Sequence, residues 1–149
     1  MAGMRITLLT GWLAGIAIAV MLGGCGVSRL AEADMMMSRG EYYDASRAYR
    51  KVYNSLAKKE QRALRGEVAF KMGECYFRIN RMANASQAFR NAIRYGYSDS
   101  TASLYLGRAL QAEGEYTKAI EAYNDYLATS PRDAKMAENG IACLLYTSD

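Results

Sequence analysis

An all-α fold, built as a solenoid of helix-turn-helix pairs, follows from three observations. Met72, Gly73, Tyr76, Ala85, Phe89 and Ala92 recur as Leu106, Gly107, Leu110, Ala119, Tyr123 and Tyr126, each 34 positions on (107 minus 73). A fixed period of that length marks a repeat architecture. Beyond its first two dozen residues the chain is rich in Ala, Tyr, Arg, Lys and Glu, with the single proline Pro131, which is the composition of helices. Finally, Gly73 and Gly107 on one helix of each pair, with Ala85 and Ala119 on the other, permit close approach of antiparallel helices. Phe89 and Tyr123, four positions after those alanines, are expected to fill the gap between one pair and the next. Such a pair buries its apolar face only by stacking on another.

The chain has 149 residues, 51% of them hydrophobic and 23% charged, the size and composition of one globular domain. Its net charge of +4 is spread, with Arg and Lys alternating with Glu and Asp along the helices, so the charges read as a solvated surface. No basic stripe carries a nucleic-acid-reading motif, and a nucleic-acid partner is not expected. The sequence contains no histidine, which removes the commonest general base and metal ligand together. Cys25, Cys75 and Cys143 lack a paired metal-binding rhythm. No catalytic residue, metal site or cofactor is expected, and catalysis by carboxylates has no support.

The amino terminus reads as an address. Arg5 is the only charge before Arg29 and precedes an apolar run from Ile6 to Leu22 broken by Gly11 and Gly15, the pattern of a secretory signal peptide. Met4, beside Arg5, is a plausible start. Leu22-Gly23-Gly24-Cys25 at the end of that run resembles the bacterial lipobox, in which the cysteine thiol is acylated and the chain is cut before it. The resemblance implies a signal peptide over residues 1–24, a lipid on Cys25 and a tether over 25–28. Two or three acyl chains of roughly 15 methylenes, at ~0.8 kcal/mol per buried methylene, would make the attachment permanent. The alternative is an uncleaved membrane helix with an incidental cysteine. Gly26, Val27 and Ser28 include no aspartate of the inner-membrane retention type, so the periplasmic face of the outer membrane is the expected location.

The array is expected over residues 29–142. A first helix starts near Arg29, with Leu30, Ala33, Met36 and Met37 on one face, and Gly40 ends it. The second starts around Tyr42 and runs toward Lys58. Its Ala45, Tyr49, Val52 and Tyr53 correspond to Ala85, Phe89, Ala92 and Ile93 and to Ala119, Tyr123, Tyr126 and Leu127. Gly40-Glu41-Tyr42 matches Gly114-Glu115-Tyr116. Three units emerge, over about 26–59, 66–99 and 100–133, with the start of a further helix over 134–142. The first is offset from the second by 40 (85 minus 45), which places a six-residue excess around Glu60 to Arg65.

This spacing, closed by Pro131, resembles the tetratricopeptide repeat, most specifically in the second and third units. Glu32 stands at a usual leucine position of the first, and Tyr97 stands where the second often has proline. The resemblance implies a right-handed superhelix whose concave face is lined by the first helix of each pair. By position that face carries Glu67, Phe70, Glu74, Phe77, Arg78, Thr101, Leu104, Arg108 and Gln111, and its partners would be extended peptides or partner helices. Plain solvation of these positions is the alternative. Cys75 reads as a buried small hydrophobe, and Tyr49, Tyr76, Tyr95, Tyr97, Tyr123 and Tyr126 fit repeat packing.

Ser130-Pro131-Arg132-Asp133 is a helix stop and restart. The terminal Cys143-Leu144-Leu145-Tyr146-Thr147-Ser148-Asp149 resembles a translated transposon-end sequencing adapter, so residues 143–149 are expected to be an artefact of a truncated reading frame. Whether Cys143 is genuine stays open.

The leading expectation is a membrane-anchored interaction scaffold of the Gram-negative envelope. Gly73-Glu74-Cys75-Tyr76, Tyr95-Gly96-Tyr97-Ser98-Asp99 and Asn139-Gly140-Ile141-Ala142-Cys143, together with the order of parts, resemble the amino-terminal region of PorE-like proteins. In that family a β-propeller and an OmpA-like peptidoglycan-binding domain follow the repeats and link the type IX secretion machinery to the cell wall. Peptidoglycan contact would then belong to domains absent from this sequence. The alternatives are an outer-membrane assembly or Tol-Pal-associated lipoprotein, and the targeting region of a cell-wall hydrolase.

Overall fold

The computed structural model describes residues 28–130 and 134–146, and among them the chain forms seven helices and no strand. The signal-peptide region, Cys25, Pro131 and residues 147–149 lie outside the described residues. Helix α1 covers 28–38, followed by α2 (Tyr42–Ser55), α3 (Arg62–Arg78), α4 (Met82–Arg94), α5 (Thr101–Ala112), α6 (Tyr116–Thr129) and α7 (Ala134–Tyr146). Each helix packs on its sequence neighbours, and α7 also touches α5, so the core is a continuous layer of stacked pairs.

The turn inside each pair is built the same way. Gly40, Asn80 and Gly114 have φ of 77°, 58° and 78°. In each case the next residue's N–H bonds back to a carbonyl in the last helical turn: Glu41 to Met36 at 3.0 Å, Arg81 to Tyr76 at 2.9 Å and Glu115 to Leu110 at 2.9 Å. This is a Schellman cap, which needs a residue at ease in the left-handed region. Asn80 fills that place in the second unit because its short polar side chain tolerates it.

The expected apolar faces are largely buried, with Ile93 the departure at 41% exposure. Ala33, Ala45, Tyr49, Ala85, Phe89, Ala92, Ala119, Tyr123 and Tyr126 are each at most 2% exposed. The glycines act in a more specific way than the sequence suggests. A Cβ at Gly73 would lie 2.7 Å from the Phe89 ring, and one at Gly107 would lie 2.6 Å from the Tyr123 ring. Each aromatic therefore lies over the glycine of its own pair, and it also reaches the next pair. Phe89 stacks on Tyr105 at 5.6 Å, and Tyr123 abuts Gly140, where a Cβ would approach it to 2.7 Å.

The excess residues between the first two units lengthen α3, which has 17 residues against 12 in α5. The added N-terminal turn is pinned at both flanks. Arg65, 5% exposed, donates from Nη1 to the carbonyls of Tyr53 at 2.7 Å and Leu56 at 2.6 Å. Its guanidinium lies 4.0 Å from the Tyr53 ring centroid and 4.9 Å from that of Tyr95. Arg62 donates to the carbonyl of Arg94 at the end of α4. Both cations sit at helix C-termini, where the macrodipole favours positive charge.

At the carboxyl end, α7 continues past Ala142 to Tyr146, with Ala137 and Leu144 buried.

Candidate functional site

The first helices of the second and third pairs, α3 and α5, carry the positions expected on the concave face. Glu67, Phe70 and Glu74 line a cleft of about 550 Å³, together with Ala63, Leu64 and Lys71 of α3 and Gly96, Tyr97 and Ser98 from the turn between α4 and α5. Phe77 and Arg108 meet further along, the guanidinium 5.0 Å from the ring centroid, and Phe77 packs edge-on to Tyr105 at 5.7 Å. Arg78 is exposed, 5.9 Å from the centroid of Tyr42. Leu104 is buried at 7% exposure, and Thr101 and Gln111 are half-buried. Gln111 is held by Tyr123, whose hydroxyl donates to Oε1 at 2.7 Å.

Phe70 is largely an internal residue, 8% exposed. Its ring stacks on Tyr97 at 4.4 Å with an interplanar angle of 12°, and it also touches Phe89 and Tyr105. The Tyr97 N–H donates to the Ala92 carbonyl at 3.0 Å, a bond that the proline common at this place would lack. The departure from the family pattern thus adds a ring to the cleft wall and closes the end of α4.

Electrostatically the cleft is acidic. Lys71 Nζ donates to Asp34 Oδ1 at 2.9 Å and lies 3.1 Å from Glu67 Oε1. Asp34 also accepts the Tyr49 hydroxyl at 2.5 Å. Burial lowers the Lys71 pKa, but the two carboxylates outweigh it and the net shift is upward. Glu74 joins no ion pair among the described residues. Burial pushes its carboxyl above the usual carboxylate range, and the charges of Arg78 and Lys71 only partly oppose this.

Sequence reasoning missed Asp34, Lys71, Tyr97 and Tyr105 as parts of this surface. The Glu67–Lys71 pair is an i,i+4 signal that could have found Lys71; the contact between Asp34 and Lys71 spans 37 positions and has no local signature. Cys75 is fully buried, and burial, with a smaller contribution from Glu74, pushes its thiol up to about 12. Its burial fits the small hydrophobe expected of it. No group of three or more potential metal ligands forms among the described residues. None of the described helices is long and apolar enough to cross a membrane.

The family described as tetratricopeptide repeat matches residues 70–134. Over these residues the chain is similar to that family. The match begins inside α3 and ends at the start of α7, so it covers the two units whose pattern is strongest. The first TPR of Spaghetti (RPAP3), solved bound to the HSP90 peptide SRMEEVD, has the same fold at a TM-score of 0.68. Identity is 18%, over 82% of this chain and 91% of that one. MamA aligns over 78% of this chain and 94% of its own at 20% identity, with a TM-score of 0.43. No curated protein matches the sequence.

The raised pKa of Glu74 has a measurable sign. A carboxyl whose folded pKa lies above its unfolded value destabilises the fold at pH above both, and the penalty is relieved as pH falls through the raised value toward 4.5. Glu74→Gln should therefore be more stable than the parent in urea denaturation at neutral pH, with the difference closing at acidic pH. An advantage that is unchanged at low pH would assign the effect to something other than the carboxylate charge.

Proposed function

We propose that this chain is a protein-interaction scaffold that takes an extended peptide segment along the face formed by α1, α3 and α5. The observation that carries the reading is the contact of Phe77, Tyr105 and Arg108 across two consecutive units. It presents partly exposed aromatic surface and a guanidinium side by side, the residue types that dominate binding hot spots. The cleft at Glu67 and Glu74 continues this surface toward the turn between α4 and α5. The peptide-bound state of the first TPR of Spaghetti supports the same mode of use. Repeats of this family are generally non-catalytic scaffolds.

The lipobox-like Leu22-Gly23-Gly24-Cys25 supports a finer reading. In it, Cys25 is acylated and the array hangs from the outer membrane on the periplasmic side. The PorE-like motifs support a place in an assembly that links a secretion machine to peptidoglycan, with wall binding supplied by other domains. An outer-membrane assembly or Tol-Pal-associated lipoprotein shares the anchor and the array, and the downstream gene sequence separates the two.

A photo-crosslinking side chain at Phe77 should yield a discrete adduct in the native envelope, whereas the same group at Lys118, exposed on α6, should not. Identical adducts from both positions would contradict a groove-specific partner. For the anchor, metabolic labelling with a palmitate analogue should be lost in Cys25→Ser, and label persisting in that variant would refute acylation at this residue.

A further inference from the structure

We infer that the cleft between α3 and the turn between α4 and α5 receives a basic side chain, so that the peptide taken by this scaffold carries a lysine or arginine at that point. The inference rests on the groove reading above and specifies its partner. Three features of the cleft agree.

The first is charge. Glu67 and Glu74 line the cleft with one ammonium, that of Lys71, whose Nζ is already committed to Asp34 at 2.9 Å and Glu67 at 3.1 Å; Arg78, one helical turn on from Glu74, only partly opposes its charge. Glu74 is left half-buried and outside any ion pair among the described residues. A desolvated carboxylate of this kind gains most from an incoming cation, which supplies a charge-assisted hydrogen bond in place of lost water.

The second is shape. The space of about 550 Å³ is large for one side chain, and its wall is the stacked Phe70–Tyr97 pair. A lysine or arginine lays its methylene stem against such a wall while its head reaches a carboxylate, and the ring faces add a cation–π contribution.

The third is exclusion. An acidic peptide such as SRMEEVD, held by the similar fold of Spaghetti, would bring like charge against Glu67 and Glu74 here, and like-charge juxtaposition selects against a partner. Arg108 lies further along the face with Phe77, so a basic residue in the cleft also sets the direction of the bound peptide.

The test uses the full chain, isotope-labelled for amide NMR, and two capped peptides, Gly-Leu-Lys-Leu-Gly and Gly-Leu-Glu-Leu-Gly. The lysine peptide should shift the amides of Glu67, Lys71, Glu74 and Tyr97 with an affinity about fivefold or more above that of the glutamate peptide, the scale of one partly exposed charge pair. Glu74→Gln, which keeps the side-chain shape, should bring the two peptides to equal affinity. Equal affinities for the parent protein would overturn the cationic preference while leaving peptide binding intact. If neither peptide shifts these amides although the Phe77 crosslink forms, the cleft assignment falls alone; if the crosslink also fails, the groove reading falls with it.

Discussion

A helix glycine and the aromatic ring lying over it set the geometry of the second and third units. At Gly107 the Tyr123 ring approaches so closely that a single added methyl would meet it at 2.6 Å, and at Gly73 the Phe89 ring does the same at 2.7 Å. The spacing is invariant: 16 residues separate Gly73 from Phe89 and Gly107 from Tyr123 (89 minus 73, 123 minus 107). Glycine inside a helix costs about 1 kcal/mol relative to alanine. Burying a whole aromatic ring between two pairs offsets that cost, since removing a buried aromatic side chain typically costs about 3–5 kcal/mol. In the first unit Ala33 stands at the corresponding place before Tyr49 (49 minus 33 is again 16), and both are fully buried.

Because the ring belongs to two interfaces, pairing and stacking are coupled. Phe89 fills its own pair and stacks on Tyr105 of the next; Tyr123 fills its own and meets Gly140 of α7. Irregularity between units is then absorbed away from these contacts. The extra turn of α3 alters neither the Gly73–Phe89 spacing nor the turn at Asn80. Arg65 takes over the last carbonyls of α2 while stacking on Tyr53 and Tyr95. The same stacking carries α3 and α5 side by side, which is what brings Phe77, Tyr105 and Arg108 into one surface.

The repeat was legible because its determinants are local: a small residue, an aromatic at a fixed offset and a left-handed turn residue. Gly40 and Gly114 announce their turns, whereas Asn80 is recognised only through its φ of 58°. The extent of α3 was not legible, since Arg62 and Arg65 read as surface charges; the tertiary fold supplies the carbonyls that both bond, and it takes Arg65 inside. The candidate groove was half legible. Position within the repeat identified Glu67, Glu74, Phe77 and Arg108, but it also placed Phe70 and Leu104 there without indicating that both are nearly buried. Position could not reveal that Lys71 pairs with Asp34 across two units, which leaves Glu74 outside any ion pair among the described residues.

The central claim, that Gly73 and Gly107 are required because of the ring lying over each, is tested by a double-mutant cycle at Gly107 and Tyr123 in chemical denaturation. With Tyr123 in place, Gly107→Ala should destabilise by about 1–3 kcal/mol, the usual cost of overpacking. In a Tyr123→Leu background the same change should be neutral or stabilising by up to ~1 kcal/mol, as helix propensity dictates. An equal loss in both backgrounds would show that the glycine serves something other than the ring, and would contradict the account.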